Sequence, residues 1–144
     1  MPAAGEVVEA WHGARIATTT ATTSTATFTT TETVTDSVTA SLVNGERYLV
    51  EFYGQLLSTV AGDDVNARLR EDTLAGTQLQ GERRDLLGAS IGEFWYLRVE
   101  FTATATGNKT FVATGVRSTG TGNVSRFASA TQPAYLTVTH IKAV

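Results

Sequence analysis

The chain of 144 residues contains no cysteine, two histidines, two prolines and one methionine. Without cysteine there is no disulfide scaffold, no thiolate zinc site and no Cys nucleophile; the redox compartment stays open. The histidines, His12 and His140, lie at opposite ends of the chain. A Ser-His-Asp site could be assembled from distant residues, but no G-x-S-x-G elbow is present to mark the nucleophile. An excess of positive charge is also missing. Eleven basic residues are scattered among 14 acidic ones for a net charge of -3, whereas a nucleic-acid binder carries a basic stripe. No apolar run approaches the ~20 residues that span a bilayer. The opening Met1-Pro2-Ala3-Ala4-Gly5-Glu6 lacks the basic start and apolar stretch of a signal peptide. These absences predict a cytosolically made chain with no membrane, nucleic-acid, metal or cofactor partner and no enzymatic activity.

What is abundant is threonine, 26 residues. Threonine is β-branched, so it suits a pleated sheet better than a helix, and its hydroxyl keeps a solvent-facing strand wettable. A chain of this length buries roughly two-thirds of its unfolded surface and folds without metals or crosslinks.

Period-two alternation recurs along most of the sequence. Ala26, Phe28 and Val34 fall on one side of a threonine-lined segment, and Glu32 on that same side predicts a bulge nearby. Val38, Ala40 and Leu42 alternate with polar residues up to Asn44-Gly45, a dipeptide suited to a tight hairpin turn. Tyr48, Val50, Phe52 and Leu56 define the next inward face, with Gly54 marking a bend or close backbone approach. Val65, Ala67 and Leu69 alternate with Asn66, Arg68 and Arg70. Shorter strands are expected around 77–79 and 85–87. Trp95, Leu97, Val99, Phe101 and Ala103 face inward from a strand over 94–105, followed by a hairpin loop at 106–109 and a return strand over 110–117. Strands over 124–128 and 134–141 complete the chain. About eight to ten short strands punctuated by turn signals indicate an all-β, antiparallel β-sandwich of jelly-roll type. Residues 17–27, almost wholly Ala, Thr and Ser, have little to bury. The expected organisation is an extended N-terminal arm over residues 1–24 and a sandwich over 25–144.

Few polar clusters suggest chemistry. Asp63-Asp64 is read as a polar turn rather than a calcium loop, which needs more oxygen ligands. Ser118-Thr119-Gly120-Thr121-Gly122-Asn123 lacks the Lys-Ser/Thr ending of a phosphate loop and reads as a turn. Asn108-Lys109-Thr110 and Asn123-Val124-Ser125 match the glycosylation sequon. Candidate partner-contacting residues fall in three groups. Val7, Val8, Trp11 and Ile16 place apolar surface on a segment that either lies on a partner or forms a first strand. Arg83 and Arg84, within Glu82-Arg83-Arg84-Asp85, offer either a solvated loop or a docking patch. Phe94 and Tyr96 point away from the core beside Arg98, the composition of interface hot spots.

Five stretches, Gly45-Glu46-Arg47-Tyr48, Ala67-Arg68-Leu69-Arg70-Glu71-Asp72, Ala75-Gly76-Thr77-Gln78-Leu79, Ser118-Thr119-Gly120-Thr121-Gly122 and Ala134-Tyr135-Leu136-Thr137-Val138, occur in an order that resembles small structural proteins of tailed phages infecting actinobacteria. The resemblance covers residues 25–141. It implies an all-β virion protein without catalytic residues, either a head decoration protein or a tail-associated one. Many such relatives end in an acidic strand, where this chain has Val138-Thr139-His140-Ile141. The first expectation is a capsid decoration protein, made in the host cytoplasm and seated on the capsid exterior. It would bind the lattice of the major capsid protein, as a homotrimer by analogy with other decoration proteins. The alternative is a tail or receptor-binding module contacting host glycan or protein. A polymer-degrading hydrolase needs paired carboxylates at a set separation, and no such pair stands out.

Overall fold

The computed structural model describes residues 13–141, nine strands and no helix. In chain order these are β1 (Ala14–Ala21), β2 (Thr33–Leu42), β3 (Arg47–Ser58), β4 (Asp63–Glu71), β5 (Gln78–Leu86), β6 (Glu93–Thr102), β7 (Gly107–Thr119), β8 (Val124–Phe127) and β9 (Ala134–Ile141). They form two packed antiparallel sheets. One has five strands in the order β1-β9-β3-β6, with β8 pairing β3 beyond the end of β9; the other has the order β2-β7-β4-β5. This is the antiparallel β-sandwich expected from the alternation.

The core lies between the sheets and is built from the residues the pattern turns inward: Val38, Ala40 and Leu42 from β2, Tyr48, Val50, Phe52 and Leu56 from β3, Val65, Ala67 and Leu69 from β4, Trp95 and Leu97 from β6. Trp95, Phe52 and Phe111 are its largest wholly buried side chains. Phe101 meets Phe111 edge-on across the sheets, with ring centroids 5.1 Å apart, a favoured aromatic geometry. At Gly54 the close approach is real: an added Cβ would sit 2.7 Å from the Phe52 ring and 3.2 Å from Ala134. At the Asn44-Gly45 turn Gly45 takes φ +82°, which glycine adopts without steric penalty.

Several details differ from the sequence reading. Ala14–Ala21 is not part of a free arm. It pairs along its length with β9, Ala14 opposite His140 and Ala21 opposite Ala134, so the sandwich begins well before residue 25. A strand with little to bury is tolerated here because it is an edge: ladder hydrogen bonds hold it, and one face stays in water. The bulge lies at Thr35, between Val34 and Asp36, and it inverts the parity upstream of it. Val34 therefore faces solvent, and Glu32 lies over the outer face of the four-stranded sheet. There its carboxylate accepts from Arg68 Nη1 at 2.7 Å and Arg70 Nε at 2.8 Å. Burial pushes the Glu32 carboxyl up, but Arg70, Thr114 and the Arg68 charge together outweigh it and hold the group below the usual range. The two short strands expected at 77–79 and 85–87 are one strand, β5. The segment after β6 does not return as its hairpin partner; β7 crosses to the other sheet and lies between β2 and β4.

Two buried acids tie the layers and loops together. Asp36, on β2, accepts from Arg126 Nε, on β8, at 3.0 Å, and Arg126 also donates to the Thr23 carbonyl at 2.7 Å. Both side chains are almost fully buried, and the pair bridges the two sheets. Asp63 accepts from the Thr121 and Gly122 amides at 3.0 and 2.9 Å and from the Ser58 hydroxyl. The turn Ser118–Asn123 is thus folded around a carboxylate. Gly120, at φ +103°, and Gly122 leave it room, since a Cβ on either would collide with Asp63.

Candidate functional site

The outer face of the five-stranded sheet carries an aromatic row. Alternation along β3 turns Phe52 and Gly54 inward, so Glu51 and Tyr53 point outward. The register then places Tyr53 directly opposite Tyr96 on β6 and opposite Tyr135 on β9. One step toward residue 51 the facing set is Arg98, Glu51 and Thr137; one step toward residue 55 it is Phe94, Gln55 and, on β8, Phe127. Because the side-chain period of a strand is two, residues paired in register share a face. Five aromatic side chains therefore gather on one surface. Four of them stay substantially in water: Tyr53 at 42%, Phe94 at 50%, Tyr96 at 51% and Tyr135 at 36% exposure. So much exposed aromatic surface in one contiguous patch makes this face the candidate interaction site.

The row is organised by local contacts. Tyr53 and Phe94 stack with centroids 5.5 Å apart and planes 22° from parallel. Tyr96 donates its hydroxyl to Glu51 Oε1, which raises the phenol above its ordinary range and keeps it protonated. Arg84, on β5, braces the strand that carries Phe94 and Tyr96: its Nη1 donates to the Phe94 carbonyl at 2.9 Å and its guanidinium lies 5.1 Å from the Trp95 ring centroid. Beside the row lies a shallow groove of about 450 Å³ lined by Arg15, Glu51, Tyr53, Tyr96, Tyr135 and Thr137.

The structure distributes the sequence-selected residues unevenly. Phe94 and Tyr96 belong to the aromatic row. Arg84 touches its backbone from behind, while Arg83 turns away to pair with Asp64. Ile16 is the bulged residue of β1 and is exposed. Val7, Val8 and Trp11 lie outside the described residues, as does His12. His140 is engaged structurally, with Nε2 2.9 Å from Glu46 Oε2 and its ring against Tyr48. Among the described residues no three His, Asp or Glu side chains converge as a metal site, and Asp63 and Asp64 are occupied by the turn amides and by Arg83. Sequence reasoning missed Tyr53, Tyr135, Glu51, Arg15 and Thr137. The available signal was parity: Tyr53 and Tyr135, like Phe94 and Tyr96, are out of phase with the buried residues of their own strands.

No protein-family model matches the chain, and no curated protein matches it. Solved structures share its architecture at low identity. Dimeric latent PorU from Porphyromonas gingivalis aligns with TM-score 0.52 and 8% identity over 88% of this chain and 13% of that one. The infectious bursal disease virus VP2 subviral particle aligns with TM-score 0.45 and 13% identity over 88% of this chain and 37% of that one. A carbohydrate-binding module from Cellvibrio mixtus lichenase 5A, solved with cellotriose, aligns with TM-score 0.43 and 12% identity over 87% and 97%. The neighbours thus include a viral VP2 particle and a carbohydrate-binding module, and this chain spans only a small part of the PorU and VP2 chains. The likeness is one of fold alone.

Proposed function

We propose that this domain is a binding part of a virion, of the tail or receptor-binding kind, that engages the host surface through the outer face of the five-stranded sheet and performs no chemistry. The observation that supports it is the register row Tyr135–Tyr53–Tyr96 with Phe94 stacked beside it. Exposed aromatics braced by a neighbouring Arg are the composition of binding hot spots. The resemblance over residues 25–141 supplies the virion setting. Repeated copies on one particle would turn a modest affinity into firm attachment, since each further contact is made at high effective concentration.

The test is competition. The purified chain should slow adsorption of the particle to actinobacterial cells, and Tyr53→Ala, at an exposed position, should remove that effect while leaving the fold intact. Equal inhibition by the variant defeats the reading.

A capsid decoration role on the major capsid protein lattice, as a trimer, is the second reading. It draws on a different surface. Leu87, at 80% exposure, Ile91 and Val60 expose aliphatic side chains on the loops at one end of the sandwich, joined where the Ser90 amide donates to the Ser58 carbonyl. Such an end suits a seat between shell subunits. Copy number in intact particles separates the two readings, because decoration requires a copy for every few capsid subunits and a tail module far fewer.

A further inference from the structure

Resting on that reading of the outer face, we infer that the ligand is a neutral pyranose glycan chain lying across the strands, stacked on Tyr135, Tyr53 and Tyr96 and hydrogen-bonded by Glu51. The spacing comes from the sheet. Neighbouring strands lie about 4.8 Å apart, so three phenols on three adjacent strands form a track about 10 Å long across the sheet. A tyrosine ring has an apolar face and a polar hydroxyl edge, and one face of Tyr53 is taken by Phe94. A pyranose is the complementary object, with an apolar C–H face and a polar rim.

The rest of the groove is supplied with matching polar atoms. Glu51 sits one step along β3 from Tyr53, its side chain 25% exposed. Its Oε1 is taken by the Tyr96 hydroxyl, whereas Oε2 has no hydrogen-bond partner among the described residues. A carboxylate accepts only, so it selects a ligand that donates, such as a pair of neighbouring sugar hydroxyls. Arg15 also lines the groove and carries N–H donors suited to ring and hydroxyl oxygens, while Thr137 lies beside Glu51 in register. Tyr53 is already held by its stack on Phe94, which limits the ordering cost of binding.

The same features disfavour other occupants. Nucleic-acid bases also stack on aromatics, but their grooves are lined with positive charge, whereas here Glu51 offsets Arg15 and Arg98, whose Nε lies 4.0 Å from Glu51 Oε1. Phosphate-bearing and sulfated polymers likewise find two guanidinium groups around a carboxylate rather than a continuous basic lining. An added peptide strand needs a sheet edge, and this is a face. A protein partner of ordinary size covers about 800 Å² per side, far more than this groove.

The experiment presents full-length protein to a glycan array holding neutral hexose and N-acetylhexosamine oligomers beside uronic-acid and sulfated ones, followed by calorimetry on the best ligand. Binding should favour neutral oligomers. It should also be nearly unchanged between about 0.1 M and about 1 M salt, over which the screening length falls from about 10 Å to about 3 Å. Tyr53→Ala and Glu51→Gln should each weaken binding about tenfold, the equivalent of ~1.4 kcal/mol, with an unchanged unfolding midpoint. If only acidic glycans bind, and salt abolishes it, the neutral chemistry is overturned. Should no glycan bind while Tyr53→Ala still abolishes cell attachment, the glycan inference fails and the surface reading stands. If Tyr53→Ala leaves cell attachment unaltered, the surface reading itself fails.

Discussion

Asp63→Ala is the sharpest test of how the loops are held. In the native state this carboxylate is 1% exposed and accepts two backbone amides and a serine hydroxyl. Removing it leaves the Gly122 N–H buried and the Thr121 N–H partly buried without acceptors. An unsatisfied buried donor costs about 1–3 kcal/mol, so the variant should lose about 2–4 kcal/mol, less than the ~5–15 kcal/mol that holds a typical domain together. With a urea slope of about 1–3 kcal/mol/M, the midpoint should fall by about 1–2 M. Asp63→Asn should not rescue it, because whichever oxygen its NH₂ replaces it must face a backbone N–H, that of Thr121 at the Oδ1 position or that of Gly122 at the Oδ2 position. Burial alone would raise the Asp63 carboxyl, but Ser58, the two amides and the Arg117 charge outweigh it and hold the group below its ordinary value of 3.8. A folded-state pKa below the unfolded one means the stabilisation is complete above about pH 4 and is lost as pH falls through the lower folded value. Glu32, also depressed from its ordinary 4.5, adds to the same acid slope. A urea midpoint for Asp63→Ala within about 0.3 M of the parent, at a slope of about 1–3 kcal/mol/M, would refute the carboxylate's role as the turn's anchor.

Three further substitutions, at two places, probe the interior. Arg126→Met leaves the Asp36 carboxylate buried and unpaired and should cost about 3–5 kcal/mol by urea unfolding, while adding Asp36→Val should recover much of that loss; simple additivity of the two changes would argue against coupling between the sheets. Gly54→Ala forces a methyl against the Phe52 ring and Ala134 and should cost about 1–3 kcal/mol, measured as a lowered thermal midpoint; an unchanged midpoint would show that the ring yields freely.

The fold was legible because the hydrophobic period was clean where strands are half-buried. Val65, Ala67 and Leu69, and again Trp95 and Leu97, face inward as their spacing demands. The misread places share one physical cause: the pattern along a strand says which residues share a face but not which strand lies alongside. Nothing in residues 107–119 distinguishes a hairpin return from a crossing to the opposite sheet. Similarly, the alanines and threonines of 14–21 carry little amphipathic contrast, and only the ladder to β9 reveals a strand there. Glu32 on the apolar side announced the bulge but not its place at Thr35, so only the face of Val34 was misassigned. The candidate face was half legible for the same reason. Phe94 and Tyr96 stand out on one strand, whereas Tyr53 and Tyr135 join them only through a register that sequence alone does not state.

The position of β9, inserted between β1 and β3, bears on how the molecule comes into being. Ala14 waits for His140, more than a hundred residues later, and until that strand emerges from the ribosome both of its neighbours present open backbone edges. Pairings this distant in the chain are slow to form, so assembly is governed from the C-terminal end. A message cut short ahead of Ala134 would release a polypeptide with two adhesive borders, prone to join others like itself before it could close.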